Sequence, residues 1–227
     1  MGRLNNFSRM NNRVIKAVVF DMDGTMCIPQ PWMFPAMRSA VGLNDKSIDI
    51  LTYIDELPTE AARTEANLRI EEVEEKAMRE MLPQPGLVEL LEFLTVNNIS
   101  KNICTRNVIK PVDYLLTRFI PKDYSKFEHI ITRDFRPTKP NPDPLLHIAK
   151  KLNIESNEMM MIGDSFDDMK SGRSAGCVTV LLKNHVNGNV LTEHDKLVDT
   201  AVNSLSDVIK IVETLNGHQT EIHSYQH

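Results

Sequence analysis

Val14-Ile15-Lys16-Ala17-Val18-Val19-Phe20-Asp21-Met22-Asp23-Gly24-Thr25 is the stretch on which the reading of this chain turns. Apart from Lys16, its first seven residues are apolar and rich in β-branched side chains, the pattern of a fully buried strand. The run stops at two aspartates two positions apart, followed by a glycine. In open α/β sheets, ligands bind beyond the carboxyl ends of the strands. Paired carboxylates in such a place are costly unless they hold a metal or carry out chemistry. Taken alone, Asp-x-Asp-Gly-Thr also fits an ordinary tight turn, because aspartate and glycine both favour turns.

Three later segments fall in the same kind of setting. Ser100-Lys101-Asn102-Ile103-Cys104-Thr105 reads as a short strand ending in a hydroxyl residue. Thr138-Lys139-Pro140-Asn141-Pro142-Asp143-Pro144 places a lysine in a proline-stiffened loop before an apolar helical stretch. Met159-Met160-Met161-Ile162-Gly163-Asp164-Ser165-Phe166-Asp167-Asp168 is a second buried strand that ends in Gly-Asp, with more acid one helical turn on.

Between these segments the pattern alternates. Helices are expected over 87–96, 109–119, 143–152, 166–175 and 202–215, and further strands over 127–132 and 178–182. Strands alternating with helices imply an α/β fold: a three-layer, doubly wound, Rossmann-like parallel sheet with helices on both faces. Asp21 and Thr105 are 84 positions apart, far more than one crossover requires. Residues 34–41, 47–57 and 59–81 read as helices, the last capped at Thr59 with Leu68, Ile70, Val73 and Met78 as a sparse apolar stripe. Residues 30–82 are therefore expected to form a helical cap inserted after the first strand, closing over the sheet like a lid. The core is expected over 1–29 and 83–216, followed by a polar tail at 217–227. The acidic run Glu71-Glu72-Val73-Glu74-Glu75 reads as the solvated face of its helix.

Composition narrows the function. The 227 residues suit one α/β core with a modest insertion, and 41% hydrophobic content supports a packed globule. A formal net charge of −5 without a concentrated basic face argues against nucleic-acid binding. No apolar run approaches the ~20 residues that span a bilayer, so no membrane partner is expected. Three widely spaced cysteines, Cys27, Cys104 and Cys177, speak against a disulfide framework and for a reducing compartment, the cytoplasm. Residues 1–16 carry Arg3, Arg9, Arg13 and Lys16 and no acid, so a solvated arm and a mitochondrial presequence are the two readings there.

In order and context the four segments resemble the haloacid dehalogenase-like hydrolase superfamily, and within it the phosphoglycolate phosphatase and β-phosphoglucomutase-like branch. The resemblance covers about residues 14–182. It implies a Mg²⁺-dependent phosphatase that hydrolyses a small phosphorylated metabolite through an aspartyl-phosphate. Asp21 would attack phosphorus, and Asp23 would protonate the leaving oxygen and then activate water. The implied Mg²⁺ ligands are Asp21, the backbone carbonyl of Asp23, and Asp164. Asp168 would hold a metal-bound water, with Asp167 as the other candidate. Thr105 would donate to the phosphoryl oxygens, Lys139 would bring positive charge to the phosphate and to Asp21, and Gly24 would let the backbone approach. Many relatives carry Asn directly after the hydroxyl residue, whereas here Arg106 intervenes before Asn107. Arg106 either reaches a second anionic group on the substrate or points to solvent. Trp32, Met33, Phe34 and Met37 either line a substrate pocket or form cap core.

The alternative function is a phosphomutase of the same fold acting on a sugar phosphate. A dehalogenase would need no second aspartate and no metal, and a catalytically silent binding module would have no need of the acid/base at Asp23. In the family the insertion selects the substrate, and here its sequence identifies neither the substrate nor the oligomeric state.

Overall fold

The computed structural model describes Met10 and residues 13–223, with side chains described through residue 217. Most of the basic leader at 1–16 lies outside the described residues. The chain forms two compact units, one of residues 1–29 with 83–227 and one of residues 30–82.

The larger unit is built on six parallel strands: β1 (Ala17–Phe20), β2 (Ser100–Cys104), β3 (His129–Ile131), β4 (Met159–Gly163), β5 (Val178–Leu182) and β6 (Thr200–Val202). Their order across the sheet is β3-β2-β1-β4-β5-β6. Every residue of β1, β4 and β5 is buried, which is why these strands read as unbroken apolar runs rather than alternating ones. Period-2 geometry divides β1 between two cores. Ala17 and Val19 join Met159, Met161, Leu145, Ile148 and Ala149 on one face. Val18 and Phe20, equally buried, point to the other.

Helices α4 (Leu87–Val96), α5 (Ile109–Phe119), α6 (Asp143–Leu152) and α7 (Phe166–Ala175) have the expected bounds, and with them the expected doubly wound α/β fold is observed. Two elements escape the sequence pattern. The segment around Val202 is the edge strand β6, and a short helix covers Gly188–Glu193. The closing helix begins only at Asp207 and continues through His223, so residues 217–223 of the expected polar tail are helical, while 224–227 lie outside the described residues. No helix among the described residues is long and apolar enough to cross a membrane.

The topology determines where a site can form. Strand order reverses direction at β1, whose connections run outward through β2 on one side and β4 on the other. Phe20 pairs in register with both Ile103 and Ile162. The Asp21 N–H continues the ladder by donating to the Ile162 carbonyl at 2.9 Å. The carboxyl ends of β1, β2 and β4 therefore finish side by side.

The smaller unit contains α1 (Met33–Ala40), α2 (Ile50–Asp55) and α3 (Glu60–Arg79). Thr59 caps α3 by accepting from the Ala62 N–H, and Asp49 caps α2 by accepting from Leu51 and Thr52. The buried stripe of α3 is Ala66, Ile70, Glu74 and Ala77, while Leu68 is exposed. Of the expected stripe only Ile70 is fully buried, and Ala66, Glu74 and Ala77 complete the buried face. The acidic run is correspondingly not wholly solvated, because Glu74 turns inward. Met33 and Met37 belong to this unit's core, with Trp32 packed against them under the Lys76 ammonium, whereas Phe34 is exposed.

Candidate active site

Asp21 leaves β1 directly, and its Oδ1 accepts a 2.6 Å bond from Lys139 Nζ. The same ammonium donates at 2.7 Å to Asp168 Oδ1. All three side chains are almost fully withdrawn from solvent. Burial opposes the Lys139 charge, but Asp168 and Asp21 outweigh it and hold the amine protonated well above its usual range. Lys139 is thus a fixed cation between two buried carboxylates, as removing charges from water demands.

Asp168 owes its position to local chain geometry. Ser165 caps α7 and forms a capping box with Asp168. The Asp168 Oδ2 accepts from the Ser165 N–H at 3.0 Å and from its hydroxyl at 2.6 Å. With Oδ1 on Lys139, both oxygens are engaged. Asp167, one residue earlier, faces elsewhere and forms a half-exposed ion pair with Arg106 at 2.6 Å. Arg106 is therefore anchored across the carboxyl edge of the sheet by an acid from α7.

Asp164 directly follows β4 and packs against Gly24. A Cβ at Gly24 would fall inside the Asp164 carboxylate, and Gly24 has φ +83°, so any side chain is excluded on both counts. At the end of β2, the Thr105 N–H donates to the Ile131 carbonyl. The Thr105 Oγ1 accepts from the Asn107 N–H at 3.0 Å, which leaves the hydroxyl proton free to donate elsewhere.

Two functional neighbours were not singled out by sequence. Asn107 donates from Nδ2 to Asp23 Oδ2 at 3.1 Å, while the Val108 N–H holds its oxygen at 2.9 Å. Asn184, in the loop after β5, donates from Nδ2 to Asp164 Oδ2 at 2.8 Å. For Asn107 the available signal was the asparagine that many relatives carry beside the hydroxyl residue, whereas Asn184, a lone asparagine beyond a strand, reads as a turn residue.

Charge at this edge does not balance. Among the described residues, four acids, Asp21, Asp23, Asp164 and Asp168, gather around the Lys139 ammonium, which bonds two of them, while Arg106 pairs with Asp167. Burial, then Asp168, pushes the Asp164 carboxyl up to about 7. Burial likewise raises Asp21 well above the carboxylate range and raises Asp23 despite the Asn107 hydrogen bond. Asp21, Asp164 and Asp168 each offer an oxygen within 4.8 Å of the others. Three hard oxygen donors, two buried and one half-buried, carrying surplus negative charge fit a divalent cation such as Mg²⁺.

This has a measurable consequence. An acid whose folded pKa is raised binds its proton more tightly when folded, so the metal-free protein loses stability as pH rises from about 4 through about 7. A bound cation offsets that loss. Added Mg²⁺ is expected to raise the melting temperature little near pH 5 and clearly near pH 8, compared with chelator at each pH. Equal shifts at both pH values would contradict the charge imbalance.

Comparison with known proteins agrees with this architecture. The haloacid dehalogenase-like hydrolase family matches residues 15–176. An uncharacterized hydrolase of Saccharomyces cerevisiae is 68% identical over 202 residues, 89% of this chain and 93% of that protein. A phosphoglycolate phosphatase of Thiobacillus denitrificans is 29% identical over 221 residues, 87% of this chain and 96% of its own length. Among solved structures, a β-phosphoglucomutase of Clostridium difficile superposes with a TM-score of 0.68 at 19% identity, covering 91% of this chain and 99% of that one. The chain belongs to the haloacid dehalogenase-like hydrolases and resembles their phosphoglycolate phosphatase and β-phosphoglucomutase branch.

Proposed function

We propose that this hydrolase is a Mg²⁺-dependent phosphatase that cleaves a small phosphomonoester through an aspartyl-phosphate on Asp21. The observation that carries the reading is the buried Asp21–Lys139–Asp168 array beside a second, raised carboxyl at Asp23. The family and its phosphatase relatives support the reaction class.

Lys139 and Asp168 hold the Asp21 carboxylate in one orientation, and among the described residues nothing donates to its Oδ2. That oxygen attacks phosphorus, and the bond from phosphorus to the ester oxygen breaks. Asp23, whose burial favours the protonated form, gives its proton to the departing oxygen. As a carboxylate, Asp23 then takes a proton from water, whose oxygen attacks the phosphoryl group and releases Asp21 and inorganic phosphate. Asn107 keeps Asp23 pointing inward through both steps. The Thr105 hydroxyl and the ammonium of Lys139 stabilise charge on the phosphoryl oxygens.

Asp21, Asp164 and the backbone carbonyl of Asp23 would hold Mg²⁺, with Asp168 alongside. When bound, it supplies positive charge between two anions, the nucleophile and the phosphate. Arg106, fixed by Asp167 next to Thr105, takes a second anionic group of the substrate. Residues 30–82 are the cap that selects the substrate.

The test is a panel of phosphorylated metabolites, with released phosphate as the readout. Turnover of one or more small phosphomonoesters in Mg²⁺ and none in chelator is the expected outcome. Full turnover in chelator would sink the metal-dependent reading, and a requirement for a bisphosphate activator would favour the mutase.

A further inference from the structure

Asp164 is held by more than its own strand. β5 lies beside β4, with Leu181 in register with Gly163, so the loop after β5 emerges next to Asp164. Two asparagines organise that loop. Asn187 is buried and has every polar atom of its amide used. Its Nδ2 donates to the Asp164 and Leu182 carbonyls, each at 2.8 Å, and its Oδ1 accepts from the Asn184 N–H at 2.9 Å. The backbones leaving β4 and β5 are thereby tied together, and the position of Asn184 is set.

The amide of Asn184 is then oriented from its oxygen end. Its Oδ1 accepts from the Val186 N–H at 2.9 Å, so only the NH₂ group is turned toward Asp164. The 2.8 Å bond engages Oδ2, the same oxygen that packs against Gly24. Donor on one side and bare backbone on the other leave the carboxylate a single orientation, with Oδ1 as its open oxygen. A donor with no acceptor turned inward matches an ionised carboxylate rather than a protonated one.

We infer that Asn184 is a positioning residue for divalent-cation binding, acting through Asp164 and itself touching neither metal nor substrate. The inference rests on the proposed Mg²⁺ site. Groups that orient a metal ligand in this way are worth about 10–100-fold in metal affinity.

The measurement is a calorimetric titration of the full chain with MgCl₂, comparing wild type with Asn184→Ala and Asn184→Ser. Serine keeps an oxygen for the Val186 N–H but cannot reach Asp164, so it separates the loop turn from the donor. Both variants are expected to bind Mg²⁺ about 10–100-fold more weakly. Their melting temperatures in chelator should match wild type, and KM for a phosphomonoester at saturating Mg²⁺ should be unchanged. Weakening in the alanine variant alone would show that the turn matters and the donor does not, and would overturn the inference. Wild-type uptake of Mg²⁺ with undiminished affinity in both variants would overturn it while leaving the proposed function standing. A wild-type chain that takes up no Mg²⁺ would overturn both.

Discussion

Asp21→Asn is expected to abolish turnover of every phosphomonoester, activated or not, by on the order of 10⁴-fold or more. The amide oxygen is a poor nucleophile, and no other group shares the position at the end of β1. Loss of fold is not the expected cause. Asp21 is an acid whose ionisation burial opposes, and Lys139 has a second partner in Asp168, bonded at 2.7 Å, to hold its charge. The melting temperature in chelator should therefore hold or rise, while the Mg²⁺-induced increase shrinks because one ligand is gone. Measurable steady-state hydrolysis of nitrophenyl phosphate by the pure variant would remove Asp21 from the mechanism. A collapsed melting temperature would show instead that the Lys139 ammonium needs both acids.

Asp23→Asn should separate the two half-reactions. An alkyl phosphate needs a proton on its leaving oxygen, and a placed general acid contributes about 10²–10⁴-fold, so that substrate should lose a factor of that order. Nitrophenolate leaves without a proton, so transfer of its phosphoryl group to Asp21 should survive. Hydrolysis of the aspartyl-phosphate still needs a base to activate water, and the adduct should accumulate. Rapid-quench measurement is expected to give a burst of nitrophenol close to one equivalent, with labelled phosphate covalently on Asp21. The environment of Asp23 is consistent with both duties. Burial raises its pKa, which favours the acid, and the Asn107 N–H opposes that rise, which keeps the base within reach. Equal steady-state losses for both leaving groups, without burst or adduct, would contradict the assigned roles.

The Asp167–Arg106 pair shows what separates neighbouring acids on one helix. Asp167 and Asp168 are adjacent in sequence, and the resemblance names Asp168 for the metal site with Asp167 as the runner-up. In the fold, Asp168 completes the capping box of Ser165 and meets Lys139, while Asp167, about 100° further around the helix, meets Arg106. Helix geometry gives two neighbours in sequence different partners.

What the sequence determined by itself is the scaffold and the acids at its strand ends. Buried parallel strands are short apolar runs, and β1 and β4 announce themselves because an aspartate follows each run without an intervening loop. The bounds of α4 to α7 are equally local, governed by periodicity, caps and glycines. The edge strand β6 is three residues long with one half-exposed, too short to show a period. The family resemblance already paired Lys139 with Asp21, 118 positions apart; only the tertiary structure decided that Lys139 also meets Asp168, that Arg106 meets Asp167 across 61 positions, and which asparagines aim Asp23 and Asp164. These contacts leave no trace in periodicity or composition, because each partner alone is an ordinary loop or cap residue. They exist because parallel strands in a 3-2-1-4-5-6 order bring distant loops to one edge, where buried charges must find partners within a few ångströms.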